Sequence, residues 1–375
     1  MRFPGIRGFA VLAAAVTASG LAPAVATAAP AAPFVPAAQS VPSAQCAVAD
    51  AMVKAGDYWV ANGTNLAPAD WQNATFHVGN LAVVRTTGVS NHQTLPWGQA
   101  NKYLLPQTPG QPFAPGDEAA GEAYLDLYTY FHPDPPILAD LRSRLAGEVK
   151  SVQSGQTGYW DTVDALNMAM PSFARIGVMD HSEATLDAMQ KLFQHTEKQD
   201  GLFNELTGLW YHDAGTRDFW SRGNGWALAG LTKVLQVLPA NDPRRPEYLR
   251  VFKKMATTLS LVQRPDGFWN TNLLNPFDQA GPESSGTSLF TYGIAWGINA
   301  GVLDARWFKP VVDRAWKALS TKAERADGFV GYVQPEASGP GAAKATDTAA
   351  YGVGAFLLAG QQVADLTPGC APPAA

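Results

Sequence analysis

Residues 158–177 read GYWDTVDALNMAMPSFARIG. The segment opens with aromatic and polar residues, sets Asp161 and Asp164 three positions apart, and then runs on through small and apolar side chains. Asp161 fits an N-cap and Asp164 the third helical position, where carboxylates complement the unbonded N–H groups of a first turn. Ala165, Leu166, Met168, Ala169, Met170, Phe173 and Ala174 leave almost no polar face, so the helix is expected to be enclosed on all sides. Pro171 removes one interior hydrogen bond and should bend it. A polar first turn on a buried helix describes an N-terminus that faces an open pocket. The plainer alternative is that both aspartates only cap.

Outward from this segment, helical periodicity dominates from Cys46 onward and strand alternation is scarce. Helices are expected near 48–62, 75–87, 94–105, 117–131, 137–152, 162–177, 182–199, 222–238, 246–264, 284–300, 308–325 and 346–360. The odd-numbered ones, the third apart, are amphipathic and charged, as in LADLRSRLAGEVKSV. The second, sixth, eighth, tenth and twelfth are rich in Ala, Gly and aromatics, as in SGTSLFTYGIAWGINAG. An outer ring facing water around an inner ring packed by small residues explains the alternation. The expected fold is all-α, an (α/α)6 barrel of six helical hairpins. Asp200-Gly201, Asp266-Gly267 and Asp327-Gly328 recur after outer helices, each followed by an aromatic, and read as helix exits with a left-handed glycine.

The ends differ in composition. Residues 1–29 carry Arg2 and Arg7, an apolar core and the small-residue run Ala26-Thr27-Ala28, the pattern of a secretory signal peptide. Residues 30–45 form an Ala/Pro-rich spacer, 46–370 the (α/α)6-barrel domain, and 371–375 a tail, so a secreted, extracellular protein is expected. The net charge of −5 comes without a basic stripe, which argues against nucleic acid and against an anionic membrane surface as partners. The two cysteines, Cys46 and Cys370, stand at the two ends of the domain. In an oxidising compartment they can form a disulfide that closes the chain, a constraint of roughly 4–5 kcal/mol on the unfolded state. Two cysteines also exclude a zinc site built from several thiolates, and a monomer is expected.

The loops entering the inner helices carry the unusual residues: Trp71 and His77, Asp117, Asp161 and Asp164, Trp220, Arg222 and Trp226, Ser285 and Thr287, and Thr346-Asp347. A ring of helix N-termini lined by Trp, Arg, Ser and Thr favours a carboxylate, and aromatic faces suit sugar rings. The ligand class read from this is an acidic sugar. His212, in WYHD, supplies an acid/base group that titrates near neutrality. Asp117 and Asp164 resemble the carboxylate pair of a glycosidase, where proximity raises one pKa.

The stretches WDTVDALNMAMPSFARIG, WYHDAGTRDFWSRGNGWALAGL, ESSGTSLFTYGIAWGINAG and TDTAAYGVGAFLLAG together resemble the successive inner-helix motifs of glycoside hydrolase family 105, the unsaturated rhamnogalacturonyl hydrolases, with family 88, the unsaturated glucuronyl hydrolases, as a relative. The resemblance implies removal of a 4,5-unsaturated galacturonyl residue from the non-reducing end of lyase-generated rhamnogalacturonan oligosaccharides. The C4=C5 vinyl ether is protonated and hydrated, with no metal and no organic cofactor. Asp164 in VDALNMAMP matches the general acid and base, and Asp117 in PGDEAAGEAYLDLY a second aspartate. His212, Arg222 and Trp226 match residues that hold the unsaturated sugar. His77 stands where the family pattern expects a tyrosine-like group. Alternatives are an unsaturated β-glucuronyl hydrolase, a conventional inverting glycosidase on the same barrel, and a non-catalytic protein that binds acidic sugars.

Overall fold

A computed structural model of the chain describes residues 46–89, 93–131 and 135–370. The leader and spacer expected at 1–45 and the tail at 371–375 lie outside the described residues.

Six inner positions form a closed ring. They are α2 (Trp71–Thr87), α4 (Pro115–Phe131), the broken pair α6 (Ala165–Met168) and α7 (Met170–Met179), α9 (Ser221–Val237), α11 (Ser284–Asn299) and α13 (Ala350–Asp365). Each packs on the next, and α13 returns to α2. Outside them lie α1 (Ala47–Asn62), α3 (Thr94–Ala100), α5 (Ala139–Gln153), α8 (Glu183–Gln194), α10 (Arg245–Val262) and α12 (Ala305–Ala318). The alternation of charged and small-residue helices therefore maps onto an outer and an inner ring of an (α/α)6 barrel. Its buried apolar side chains form one contiguous cluster.

Small residues let the inner helices approach. A Cβ on Gly79 of α2 would lie 2.4 Å from the carbonyl oxygen of Gly354 on α13, so both helices need glycine where they cross. The recurrent Asp-Gly exits behave alike: Gly201, Gly267 and Gly328 have φ of 65°, 94° and 95°. Cys46 and Cys370 are joined, with Cα atoms 5.0 Å apart, and the Cys46 sulfur also accepts from the Ala49 N–H at the start of α1.

The central segment departs from a single helix beginning at Thr162. Thr162 pairs with Asp213 in an antiparallel bridge, and the Val163 N–H donates to the His212 carbonyl at 2.9 Å. Thr162 is thus held in the bridge, Val163 and Asp164 form a turn, and α6 begins only after Asp164. Asp164 occupies the N-cap place without a side-chain capping bond, and Asp161 is exposed and caps nothing there. The helix breaks at Ala169 (φ −111°) and resumes as α7, because Pro171 has no N–H for the Asn167 carbonyl.

Three further differences have local causes. The helix expected at 94–105 stops at Ala100, since Lys102 and Tyr103 both turn to φ 55°. Residues Phe203–Asn204 (β1) and Leu209–Trp210 (β2) form an antiparallel hairpin, turned where Asn204 Oδ1 accepts from the N–H groups of Leu206 and Thr207. The last inner helix starts at Ala350, with Asp347 closing a turn on the Lys344 N–H instead of capping.

Candidate active site

At the end where the inner helices begin, a pocket of about 220 Å³ opens between Trp71, Gly116, Asp164, His212, Trp220, Arg222 and the loop carrying Glu336. The bridge between Thr162 and Asp213 sets its centre, because it places His212 opposite Asp164. His212 Nε2 is 3.7 Å from Asp164 Oδ2, and Nδ1 is 2.8 Å from Asp213 Oδ2. Asp213 is itself fixed by the N–H groups of Gly215 (2.7 Å) and Thr216 (3.0 Å). Burial disfavours charge on His212, but bonding to Asp164 and Asp213 and their charges outweigh it and lift the imidazole to about 9. At neutral pH the pocket therefore holds an imidazolium, bonded on one side to the Asp213 carboxylate. The other Asp164 oxygen, Oδ1, is buried without a hydrogen-bond partner in the protein.

Arg222, in the first turn of α9, is 1 % exposed. Its guanidinium donates to the carbonyls of Gln334 (2.5 Å) and Pro335 (3.1 Å) and to the Tyr351 hydroxyl (3.3 Å). It lies over the Trp220 and Tyr351 rings at 4.4 and 4.8 Å. None of these partners carries a charge, so this buried cation keeps an unneutralised field at the pocket wall. Trp220 donates its indole N–H to Gln334 Oε1 at 2.8 Å. Trp71 stacks on Tyr351 at 5.1 Å and offers a half-buried face to the pocket.

The structure thus brings together Asp164, His212, Trp220, Arg222 and Trp71. It does not bring the others into the lining. Asp117 is turned away: its two oxygens accept from the Thr108 N–H (2.6 Å) and hydroxyl (3.0 Å), so the group facing Asp164 is an imidazolium and not a second carboxylate. Trp226 is fully buried and supports the wall from behind, edge-on to Trp71 at 6.3 Å. His77 is buried, stacks on Trp97 at 4.2 Å and bonds Thr94 Oγ1, and burial pushes its imidazole down to about 3. It is a neutral packing residue. Ser285 and Thr287 bond the N-cap Glu283, through its Oε1 and its carbonyl respectively, in place of facing a ligand.

Sequence reasoning missed the loop after the Asp327-Gly328 exit. Gln334, Glu336, Ala337 and Ser338 carry no motif, although the Pro- and Gly-rich composition of QPEASGPG marks an irregular segment long enough to reach over the mouth. Gln334 is a hub, bonded through its side chain to Trp220 and Gly339 and through its backbone to Arg222, Tyr351 and Glu283.

A larger cavity, about 490 Å³, lies at the opposite end of the barrel. Its charged groups pair with one another: Asp126 joins Arg85 and Arg175, and Lys233 bonds Glu122 and Asn167. These bonds tie the helix ends together, whereas the smaller pocket at the other end holds the facing Asp164 and His212. Among the described residues no group of three or more His, Cys, Asp or Glu is placed to hold a metal ion, and no helix is long and apolar enough to cross a membrane.

Known proteins resemble the chain over nearly this whole barrel. An unsaturated 3S-rhamnoglycuronyl hydrolase of Formosa agariphila is 32% identical over 346 residues, covering 84% of this chain and 90% of that protein. A solved glycosyl hydrolase family 88 structure from Bacteroides vulgatus superposes with a TM-score of 0.78 at 31% identity, covering 84% of this chain and 97% of its own. A structure described as a polysaccharide lyase gives 0.79 at 32%, covering 86% and 97%. The model of glycosyl hydrolase family 88 matches along residues 45–367, and the chain belongs to that family.

Proposed function

We propose that the protein removes a 4,5-unsaturated uronyl residue from the non-reducing end of oligosaccharides left by polysaccharide lyases, with the galacturonyl residue of rhamnogalacturonan fragments as its substrate. The observation that carries this reading is the pairing of a buried cation lacking an acidic partner, Arg222, with a carboxylate whose inner oxygen is unbonded, Asp164, across one small pocket. The first suits the uronate carboxylate and the second the carbon that must be protonated. Names of relatives support the reaction class.

In this reading the sugar ring lies against Trp71 with its carboxylate toward Arg222. Asp164, drawing on the proton stored on His212, protonates C4, and positive charge develops at C5 and the ring oxygen. The resulting carboxylate then takes a proton from the water that adds to C5 and passes it back to His212, which returns the pair to its starting state. The hemiketal so formed opens, and the bond to the leaving sugar is lost. No step calls for a metal or an organic cofactor. The protein acts as a monomer in this reading, and the Cys46–Cys370 bond suits export to an oxidising medium.

The test compares an unsaturated uronyl disaccharide with its saturated counterpart. Consumption of the first alone is expected. Equal cleavage of both would mean direct acetal hydrolysis and would overturn the hydration route. A second reading, elimination, is favoured by the likeness to the protein described as a polysaccharide lyase. Elimination creates the double bond that hydration consumes.

A further inference from the structure

Helices start most often on Ser, Thr, Asn or Asp, whose short side chains reach back to the first free N–H groups. The inner helix α11 starts instead on Glu283, which is fully buried and one methylene longer than Asp. Its carboxylate does the usual capping, accepting from the N–H groups of Ser285 (2.8 Å) and Gly286 (2.7 Å). The extra length carries it on to two groups outside the helix. Oε2 accepts from the Ser221 hydroxyl and Oε1 from the Gln334 N–H, both at 3.4 Å. Ser221 and Gln334 are buried as well, so neither bond competes with solvent. Both contacts lead to Arg222. Ser221 precedes it in the first turn of α9, and Gln334 accepts from its guanidinium through the same backbone carbonyl that accepts from the Tyr351 hydroxyl at 2.6 Å. Residue 334 therefore turns its N–H to the Glu283 carboxylate and its carbonyl to the arginine. The guanidinium's own bonds go to Gln334, Pro335 and Tyr351, so Glu283 acts on it only through its neighbours.

We infer that Glu283 is a positioning residue for Arg222: it holds Ser221 on the helix side and Gln334 on the loop side, and so fixes where the sugar's carboxylate is bound. The inference rests on the unsaturated-uronyl reading above and adds a residue that touches no substrate. A guanidinium recognises a carboxylate through a planar fork, and a fork that is misaligned loses affinity while the cation remains. Removing the two outer bonds of Glu283 therefore acts on substrate binding through Arg222 and leaves Asp164 and His212 as they are.

Glu283→Asp separates capping from positioning. Aspartate is a good N-cap, but it is shorter by one methylene, about 1.5 Å, and bonds already at 3.4 Å pass out of range. The experiment measures the kinetics of the full-length oxidised protein on an unsaturated uronyl disaccharide, together with its melting temperature, for Glu283→Asp, Arg222→Lys and the double variant. Glu283→Asp is expected to raise KM about three- to tenfold with kcat and melting temperature near native, and to add under about twofold where Arg222→Lys is already present. An unchanged KM, a fall in kcat with KM unmoved, or a rise that persists in full beside Arg222→Lys overturns the inference and leaves the activity standing. Should Glu283→Asp fail to fold, Ser221→Ala deletes one of the two bonds, keeps the cap and is read by the same criteria, with an expected rise in KM of about two- to fourfold. A native protein that leaves the disaccharide intact overturns both the inference and the reading beneath it.

Discussion

His212 bridges Asp164 and Asp213, with Nε2 3.7 Å from one carboxylate and Nδ1 2.8 Å from the other. Such an arrangement sets a charge state as well as an orientation, and the consequences can be measured.

The first concerns pH and stability. His212 has its folded-state pKa raised from 6.5 to about 9, so the stabilisation it brings is fully present below about 6.5 and is lost as pH rises towards 9. The linked free energy is on the order of 3 kcal/mol. Chemical denaturation of the native protein and His212→Gln between pH 6 and 9.5 should show a stability gap that closes as pH rises. A gap constant across the window would mean that His212 is neutral in the folded protein.

Asp213 acts through His212. Asp213→Asn keeps the shape but removes one of the two charges that hold the imidazolium, so the alkaline limb of the pH–rate profile should move to lower pH. kcat should fall about tenfold or more with little change in KM. Asp213→Glu should restore part of the profile, whereas a purely structural role would leave the limb in place.

Arg222 is expected to recognise charge. Arg222→Lys keeps the cation but loses the fork that holds the Gln334 and Pro335 carbonyls, and KM should rise by about tenfold or more. A substrate whose carboxylate has been reduced to an alcohol should be poor for the native protein and no poorer for the variant.

Gly230 positions the short helix behind Asp164. A Cβ there would lie 1.7 Å from the Leu166 carbonyl oxygen, so Gly230→Ala must push α9 from α6. The expected cost is about 2–4 kcal/mol in stability. Residual folded protein should lose activity as well, read by kcat at a temperature where it remains folded.

Much of the barrel was legible because the inner and outer rings demand different compositions, and ring helices such as SGTSLFTYGIAWGINAG cannot face water. The site was legible where chemistry is rare in type, as with His212 and Arg222 in one short stretch. It was not legible where direction decides. Asp117, Ser285 and Thr287 all sit in first turns, yet their side chains bond Thr108 and Glu283, and sequence spacing does not tell a first-turn side chain that faces the mouth from one that folds back. The start of α6 was misplaced for a related reason: residues 162–163 pair with a partner about 50 residues away, which local propensity does not register.

The most direct measurement follows the ultraviolet absorbance of the C4=C5 bond when the purified protein meets unsaturated rhamnogalacturonan disaccharide, with Asp164→Asn alongside. Absorbance should fall with the native protein, and the variant should be slower by about a hundredfold or more while unfolding at a similar temperature. A rise in absorbance on saturated polymer, with the unsaturated disaccharide left intact, would contradict the account and establish elimination instead.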